Sequence, residues 1–326
     1  MNASLNRRAA TQLLIAGAFA PLEVMAQLPA GRPIRILVGV APGNATDAAA
    51  RQLALRLAPL LKQTLFVENK PGGHGAIVAD AVRSAPKDGT TLLFSSGGQL
   101  AINPSLYPHL NYDPQRDFEP VSMVGRGYLY LAVRPESPFH SVKDLIDHVK
   151  AHAGRVSYGS GGNGTTQHLA MELLKKKNGL DMAHIPYRGS PMALQDLIGG
   201  QILCLFDAGA SILPQARQGR VRLLGVTAAQ RDPLAPETPT LREQGFDIGE
   251  VMVWSGLLAP SGTPKPVIDQ LSEAVRAAVR QPDYIEYARA TGGSLAGSTS
   301  EEFKSLLAEE IATWGPLVKQ SGARVE

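Results

Sequence analysis

The sequence predicts an α/β protein of two lobes with a ligand cleft between them, and three observations carry that reading. Three apolar runs, Ile34–Val38, Leu65–Val67 and Thr91–Phe94, are each followed by a small-residue turn and then a helical pattern, which is how a parallel sheet reads. The alternation starts afresh beyond Pro138, after a stretch with little helix in it. Two of the turns, Ala41–Asp47 and Gly159–Thr166, repeat one plan of strand, glycine-bearing loop and helix start. Such a helix start carries free N–H groups and a partial positive charge, the elements of an anion site.

Taken in order, Ile34–Val38 is a buried-strand run, and Ala50, Leu53, Ala54, Leu57, Leu60 and Leu61 recur at helical spacing over residues 46–62. Leu65–Val67 ends in the Asn69-Lys70-Pro71-Gly72 turn, which opens a helix near 75–84, and Thr91–Phe94 runs into Ser95-Ser96-Gly97-Gly98. Ligands of such sheets sit beyond the carboxyl ends of the strands, where all three turns lie. Val121–Val124 and Tyr128–Val133 read as two strands that carry the chain across into the second lobe. There, helices are expected at 141–152, 165–178, 190–199 and 210–218, and strands at 155–158, 182–186, 202–206 and 221–226. Val251–Leu258 is a strand that returns the chain, and 264–280, 282–290 and 299–320 are helical. The expected division is a discontinuous lobe of residues 27–126 and 254–326, an inserted lobe of 127–253, and crossing strands as the hinge.

Composition narrows the function. The chain has 326 residues, room for about two domains, with 44% hydrophobic and 19% charged residues. A formal net charge of +3 and no basic stripe interleaved with aromatics argue against nucleic acid. Arg7-Arg8, the apolar Leu13–Leu22 and the small residues of Val24-Met25-Ala26 resemble an export signal cleaved before Gln27. The arginine pair leaves Sec and twin-arginine export both open. The single cysteine, Cys204, excludes an intramolecular disulfide and reads as a small apolar residue of a strand.

Several catalytic patterns fail on inspection. Gly159–Gly164 satisfies G-x-G-x-x-G, but Asp181, at the spacing of a ribose-binding acid, precedes its strand and so lies at the wrong end. Position 165 is Thr where a P-loop needs Lys. No G-x-S-x-G elbow occurs, although Ser160 and His168 share one loop and helix. His148 and His152 stand at i,i+4 without the Glu of H-E-x-x-H, so no metal site is assigned. Recognition by loops remains: Ser160, Asn163, Thr165 and Thr166 offer donors suited to a carboxylate, with Thr165 or Thr166 as a plain helix cap the alternative. Asp47 either complements its helix dipole or accepts from a ligand. Neither loop contains Arg or Lys, although Arg126 and Arg188 lie within reach of a cleft in this arrangement.

Short segments in a particular order resemble the Bug family, the extracytoplasmic solute receptors of tripartite tricarboxylate transporters. They include Ala41-Pro42-Gly43 with Asp47, Val67-Glu68-Asn69-Lys70-Pro71-Gly72, Pro86-Lys87-Asp88-Gly89-Thr90, Tyr158-Gly159-Ser160 with Gly164 and His168, and Pro236-Glu237-Thr238-Pro239-Thr240. The resemblance implies a type II periplasmic-binding-protein fold. It also implies a small carboxylate held between a loop of Pro42, Gly43, Asn44 and Asp47 and a loop of Ser160, Gly161, Asn163, Gly164, Thr165, Thr166 and His168. By the same resemblance Ser95, Ser96 and Asp207 would line the cleft. The sequence departs from the family pattern at Asn44, at Gly39-Val40 and at His74.

The expectation is therefore a monomeric periplasmic receptor without cofactor or metal. Its partners would be a carboxylate and either a membrane permease or a sensor protein. The rivals are a secreted hydrolase or isomerase using Ser160, His168 and Asp47, and a dinucleotide enzyme retaining residues 1–26.

Overall fold

In the computed structural model, which describes residues 27–321, β1 (Ile34–Val38) lies between β2 (Leu65–Asn69) and β3 (Thr91–Ser96), all three parallel. The export-signal reading of residues 1–26 falls outside the described residues. Helices α1 (Ala45–Leu61) and α2 (Ala76–Arg83) follow β1 and β2, as expected. The chain then makes a π-helical turn at Gly98–Ile102, α3 (Asn103–Leu106) and α4 (Pro114–Asp117), none of which the periodicity announced.

The main correction concerns the crossing. Val121–Val124 and Tyr128–Val133 are not two strands but parts of one 16-residue strand, β4 (Phe118–Val133). Gly125-Arg126-Gly127 looks like a break in sequence. The return strand β9 (Met252–Pro260) pairs with β4 along that stretch and keeps it extended, with register shifts at Pro120/Ser122 and Met123/Gly125. Helix α5 (Val142–Ala151), whose N-terminus is closed by a Ser141–Asp144 capping box, leads into a second set of parallel strands. These are β5 (Ser157–Ser160), β6 (Ala183–Pro186) and β7 (Cys204–Ala208), separated by α6 (Thr166–Asn178) and α7 (Ser190–Ile198). Helix α8 (Gly209–Arg217), β8 (Arg222–Val226), α9 (Lys265–Ala278), α10 (Pro282–Ala290), β10 (Ser294–Leu295) and α11 (Ser300–Ser321) complete the chain.

One ten-stranded sheet results, in the order β2-β1-β3-β9-β4-β7-β5-β6, with β8 and β10 also joined to β4. Within the sheet, the β2-β1-β3-β9 part therefore joins the β7-β5-β6 part through β4. Apolar packing is continuous across it: Leu93, Leu100 and Leu129 share one cluster with Phe206, Leu169 and Leu174. Helix α11 supplies Phe303, Leu307, Trp314 and Val318 to that cluster and packs against both β4 and α6. Its Glu310 carboxylate accepts from the indole N–H groups of Trp254 and Trp314, each at 3.0 Å. No helix among the described residues is long and apolar enough to cross a membrane.

The register determines where the loops point. Ser96 at the end of β3 is level with Ser255 of β9, and Ser255 is level with Gly125 of β4. Strand β7 runs the other way along β4, from Leu205 beside Ala132 to Ala208 beside Leu129. The two parallel sets therefore advance along β4 from opposite ends. Their carboxyl edges stop at Gly125 and Leu129, about 13 Å apart along the strand at ~3.3 Å per residue.

Candidate functional site

The rim after β1 is organised around a buried carboxylate. Asn44 caps α1, its side chain accepting from Thr46 N–H at 2.9 Å, while Pro42, Gly43 and Asn44 stay exposed. Asp47 is 3% exposed, one turn into the helix. It accepts from Gly43 N–H at 2.9 Å, Arg51 Nε at 3.1 Å and Asn69 Nδ2 at 2.9 Å, with Arg51 Nη2 2.9 Å from its other oxygen. The Arg51 hydrogen bond, helped by Gly43 and Asn69, outweighs burial and holds the Asp47 carboxyl down at about 2. Asp47 thus holds the loop in place and spends its oxygens doing so. Arg51 and Asn69 were not singled out as site residues, although the i,i+4 spacing of Asp47 and Arg51 was a usable signal.

At the end of β3, Ser95 is buried and donates to Gln99 Oε1 at 2.8 Å, and Ser96 is half-buried. Gln99 Nε2 reaches Gly39 O at 3.4 Å and its own carbonyl accepts from Tyr112 OH at 2.6 Å, so the exits of β1 and β3 are tied together. Ser95 faces inward to this tie.

The second rim is tied to the neighbouring strand by a contact that the sequence did not announce. Ser160 is the last residue of β5, 1% exposed, and its partner is His184 of β6, with Oγ 2.7 Å from Nε2. The hydroxyl also lies 3.0 Å from Gly162 O and accepts from Gly162 N–H at 3.1 Å. With one hydrogen to give, the Ser160 hydroxyl donates either to Gly162 O or to His184 Nε2, and in the first case His184 carries its proton on Nε2 and every position of the hydroxyl is filled. His168 lies 4.0 Å from His184 ring to ring at 8°, and its Nδ1 accepts from Gly164 N–H at 3.1 Å. Burial lowers the pKa of both rings, His184 to about 4, and keeps the stack neutral. Tyr158 extends the stack, and its OH donates to Glu172, which also takes Lys175 Nζ at 2.7 Å.

Thr165 is the N-cap of α6, accepting from His168 N–H at 3.3 Å and donating to Gly162 O at 2.8 Å, so the capping alternative holds for it. Thr166 and Gly161 are half-buried and Asn163 is exposed. Gly164 has φ +72°, and a Cβ there would lie 1.9 Å from Leu106 Cδ2, so this loop is seated directly on α3. Asp207 is not just past its strand but within β7, and 1% exposed. It accepts from Ser190 Oγ at 2.7 Å, Ser211 Oγ at 2.6 Å, Ala208 N–H at 2.8 Å and Gln167 Nε2 at 3.4 Å. Burial pushes its pKa up against those donors. Asp207 therefore binds together the starts of α6, α7 and α8. Neither α7 nor α8 has a side-chain cap. Their first N–H groups remain as donors at the carboxyl edge of β6 and β7.

Arg188 is exposed at the exit of β6, and Arg126 is exposed on β4. Cys204 is buried in β7, and burial pushes its thiol up to about 12. His148 and His152 stack on each other at 4.2 Å. Among the described residues, no three His, Cys, Asp or Glu side chains stand close enough to share a metal ion.

The neutral histidine pair gives a pH signature. In the unfolded chain the rings titrate near 6.5, whereas folded His184 resists protonation until about pH 4. Below 6.5 the unfolded state binds protons that the fold does not, so stability falls with pH until about 4. The Tm is expected to be level above pH 7 and to drop between pH 6.5 and 4, with the slope reduced in His184→Gln. A flat wild-type profile in thermal unfolding across that range would show that the stack is not held neutral.

Residues 49–323 match the model of the tripartite tricarboxylate transporter family receptor. The chain is 33% identical over 315 residues to Protein BugT of Bordetella pertussis, covering 96% of this chain and 97% of BugT. A Pseudomonas sp. protein encoded in the tcbD-tcbE intergenic region is 35% identical over 288 residues, covering 88% of this chain and 85% of its own. Among solved structures, Rpa4515 of Rhodopseudomonas palustris with adipate superposes with TM-score 0.80 at 32% identity, covering 90% of this chain and 99% of that one. MatC of the same organism, with bound malate, superposes with TM-score 0.76 at 30% identity, covering 88% and 99%. The periplasmic binding protein BugD superposes with TM-score 0.77 at 32% identity, covering 90% and 99%. The two-lobed α/β arrangement is thus a periplasmic-binding-protein fold, and the chain belongs to the Bug family of tripartite tricarboxylate transporter receptors.

Proposed function

We propose that this receptor captures a small organic acid in the periplasm, between the Pro42–Asp47 and Ser160–His168 rims, and delivers it to the membrane permease of a tripartite tricarboxylate transporter. The observation that carries the proposal is the opposed advance of the two parallel strand sets along β4, which turns two rims of helix starts toward each other. Its relatives MatC and Rpa4515 hold malate and adipate. The lobes are taken as residues 27–126 with 254–326, and 127–253. Gly125–Leu129 and the facing part of β9 form the hinge about which they close.

Each helix start contributes about 0.3–1 kcal/mol to a bound anion, and each charge-assisted hydrogen bond roughly 1.5–3 kcal/mol before ordering costs. Micromolar affinity, near −8 kcal/mol, is within reach of such a site. The protein binds without turnover on this reading. Ser160 Oγ lies 3.0 Å from the Gly162 carbonyl, an acceptor that competes for its hydrogen with His184, and among the described residues no carboxylate is hydrogen-bonded to His184 as a triad requires.

The test is thermal unfolding and calorimetry against C3 to C6 mono-, di- and tricarboxylates, with mass analysis of the mixture afterwards. At 100 times its Kd the true ligand stabilises the fold by about 2.7 kcal/mol and is recovered unchanged. No shift with any acid, or conversion of one to a product, would count against the receptor reading.

A further inference from the structure

We infer that the groove between α10, β10 and the Pro233-Leu234 turn docks an acidic, apolar-bearing segment of the membrane permease, an inference that rests on the transporter reading above. The groove contains no residue of either rim. Its volume is about 490 Å³, and it runs on into a more open hollow over α10 that shares Ile285 and Arg289 with it. Leu234, Val279, Ile285, Ala288 and Leu295 give it an apolar lining.

Two features select the occupant, and the first is charge. Arg280 and Arg289 stand exposed on the groove, and neither guanidinium has an ion pair among the described residues. The one acid of the lining is Glu286. Other acids of this region are engaged or offset. Asp283 of the same helix pairs with Arg56, Asp232 is buried and accepts from Tyr130 OH, and Glu250 shares its place at Tyr128 with Arg126. Apolar surface flanked by unengaged guanidinium groups suits a segment that carries both aliphatic and carboxylate side chains. The groove is open along its length, which suits a peptide better than a small molecule needing enclosure.

The second feature is where the walls are attached. Strand β10 hangs on β4 by the pairing of Ser294 with Arg126 and Leu295 with Gly125, and Ala296 N–H donates to Val124 O at 3.0 Å. The opposite wall is held at Tyr130, whose OH donates to Asp232 at 2.7 Å, while the other Asp232 oxygen accepts from Leu234 N–H at 2.9 Å. One wall thus belongs to each lobe, and their anchors stand at the two ends of the Gly125–Leu129 hinge. Closure about a ligand changes the width of the groove, so a partner seated there binds the open and closed receptor differently. By linkage, that difference lets a permease favour loaded receptor over empty.

The experiment measures uptake of the labelled acid that binds tightest of the C3 to C6 panel, in cells whose own copy of this receptor is replaced by variants. Arg280→Glu with Arg289→Glu makes the groove acidic and is expected to lower uptake at least about tenfold, because like charges then face each other. The purified variant is expected to keep its Tm and to bind the acid within about twofold of the wild type, since both positions are exposed and outside the rims. Arg155→Glu with Arg220→Glu, two exposed arginines away from the groove lining, changes net charge equally and is expected to leave uptake unaltered. Unchanged uptake in the folded Arg280 and Arg289 variant, an equal loss in the control, or a loss of affinity large enough to explain the lost uptake overturns the inference and leaves the receptor reading standing. Uptake that does not depend on the receptor at all removes the permease reading and this inference with it.

Discussion

Gly292→Ala is expected to lower the Tm by about 5–10 °C, corresponding to roughly 2–4 kcal/mol at the sensitivity usual for a chain of this size. Two independent costs combine there. Gly292 has φ +72°, a conformation that costs an L-residue about 1 kcal/mol. Its new Cβ would also lie 2.4 Å from Gly209 O and 2.9 Å from Ala210 Cα, both backbone atoms at the start of α8. A side chain would rotate away; this backbone is held by β7 on one side, and Gly292 is held by β10, whose Ser294 pairs with Arg126 of β4. Relief requires one of those strands to shift. Gly31→Ala is the control, because Gly31 has the same φ of +72° and nothing within 4 Å of its would-be Cβ. Its Tm is expected to fall by no more than about half as much, since only the backbone cost remains. Equal losses in the two variants would mean that the contact between Gly209 and Gly292 contributes nothing.

The largest expected effect on binding comes from Asp47, and the informative variant is Asp47→Asn. Four donor groups converge on this carboxylate: Gly43 N–H, Asn69 Nδ2, Arg51 Nε and Arg51 Nη2. An asparagine of the same shape keeps one acceptor oxygen and turns an NH2 toward donors. Carboxamide and alanine variants should therefore behave alike, each weakening ligand affinity by about 100-fold, since two or more charged or buried hydrogen bonds are lost. Calorimetry with the best ligand of the wild type measures this. If Asp47→Asn retained affinity within a factor of three, the carboxylate charge would not be what holds the rim. The contribution of Asp47 to folding follows the same chemistry. Its folded pKa is depressed to about 2, so its stabilisation is fully present above about pH 4 and disappears as the pH falls through 2.

Much of the molecule was legible because it is local. Helix α1 follows from apolar residues at helical spacing, whereas the capping role of Asn44 was not read from the sequence. The run Ile34–Val38 could only be a strand bounded by a glycine turn. The Gly159–Thr166 loop was found from its glycines and Thr165, and the resemblance was distributed over segments that keep their order. Errors came where a distant segment decides. Gly125-Arg126-Gly127 has the composition of a turn, but β9, more than a hundred residues later, supplies its hydrogen-bond partners and keeps it in one strand. Ser160 and His168 share one loop and helix in the sequence; the neighbouring strand β6 brings another histidine, His184, within 2.7 Å of Ser160. Asp207 reads in sequence as lying just after its strand; it lies within β7 and accepts from groups at three helix starts that meet only once the sheet has formed.

From the chain alone came the α/β class, the two glycine-bearing loops and the absence of any nucleophile elbow or P-loop, each resting on local spacings, and the family, which rests on short segments that keep their order along the chain. Only the tertiary structure decided which rim groups remain available. Hydrogen-bond valence is finite, and whether a carboxylate such as Asp47 or a hydroxyl such as Ser160 still has a free lone pair depends on partners that folding brings from other strands.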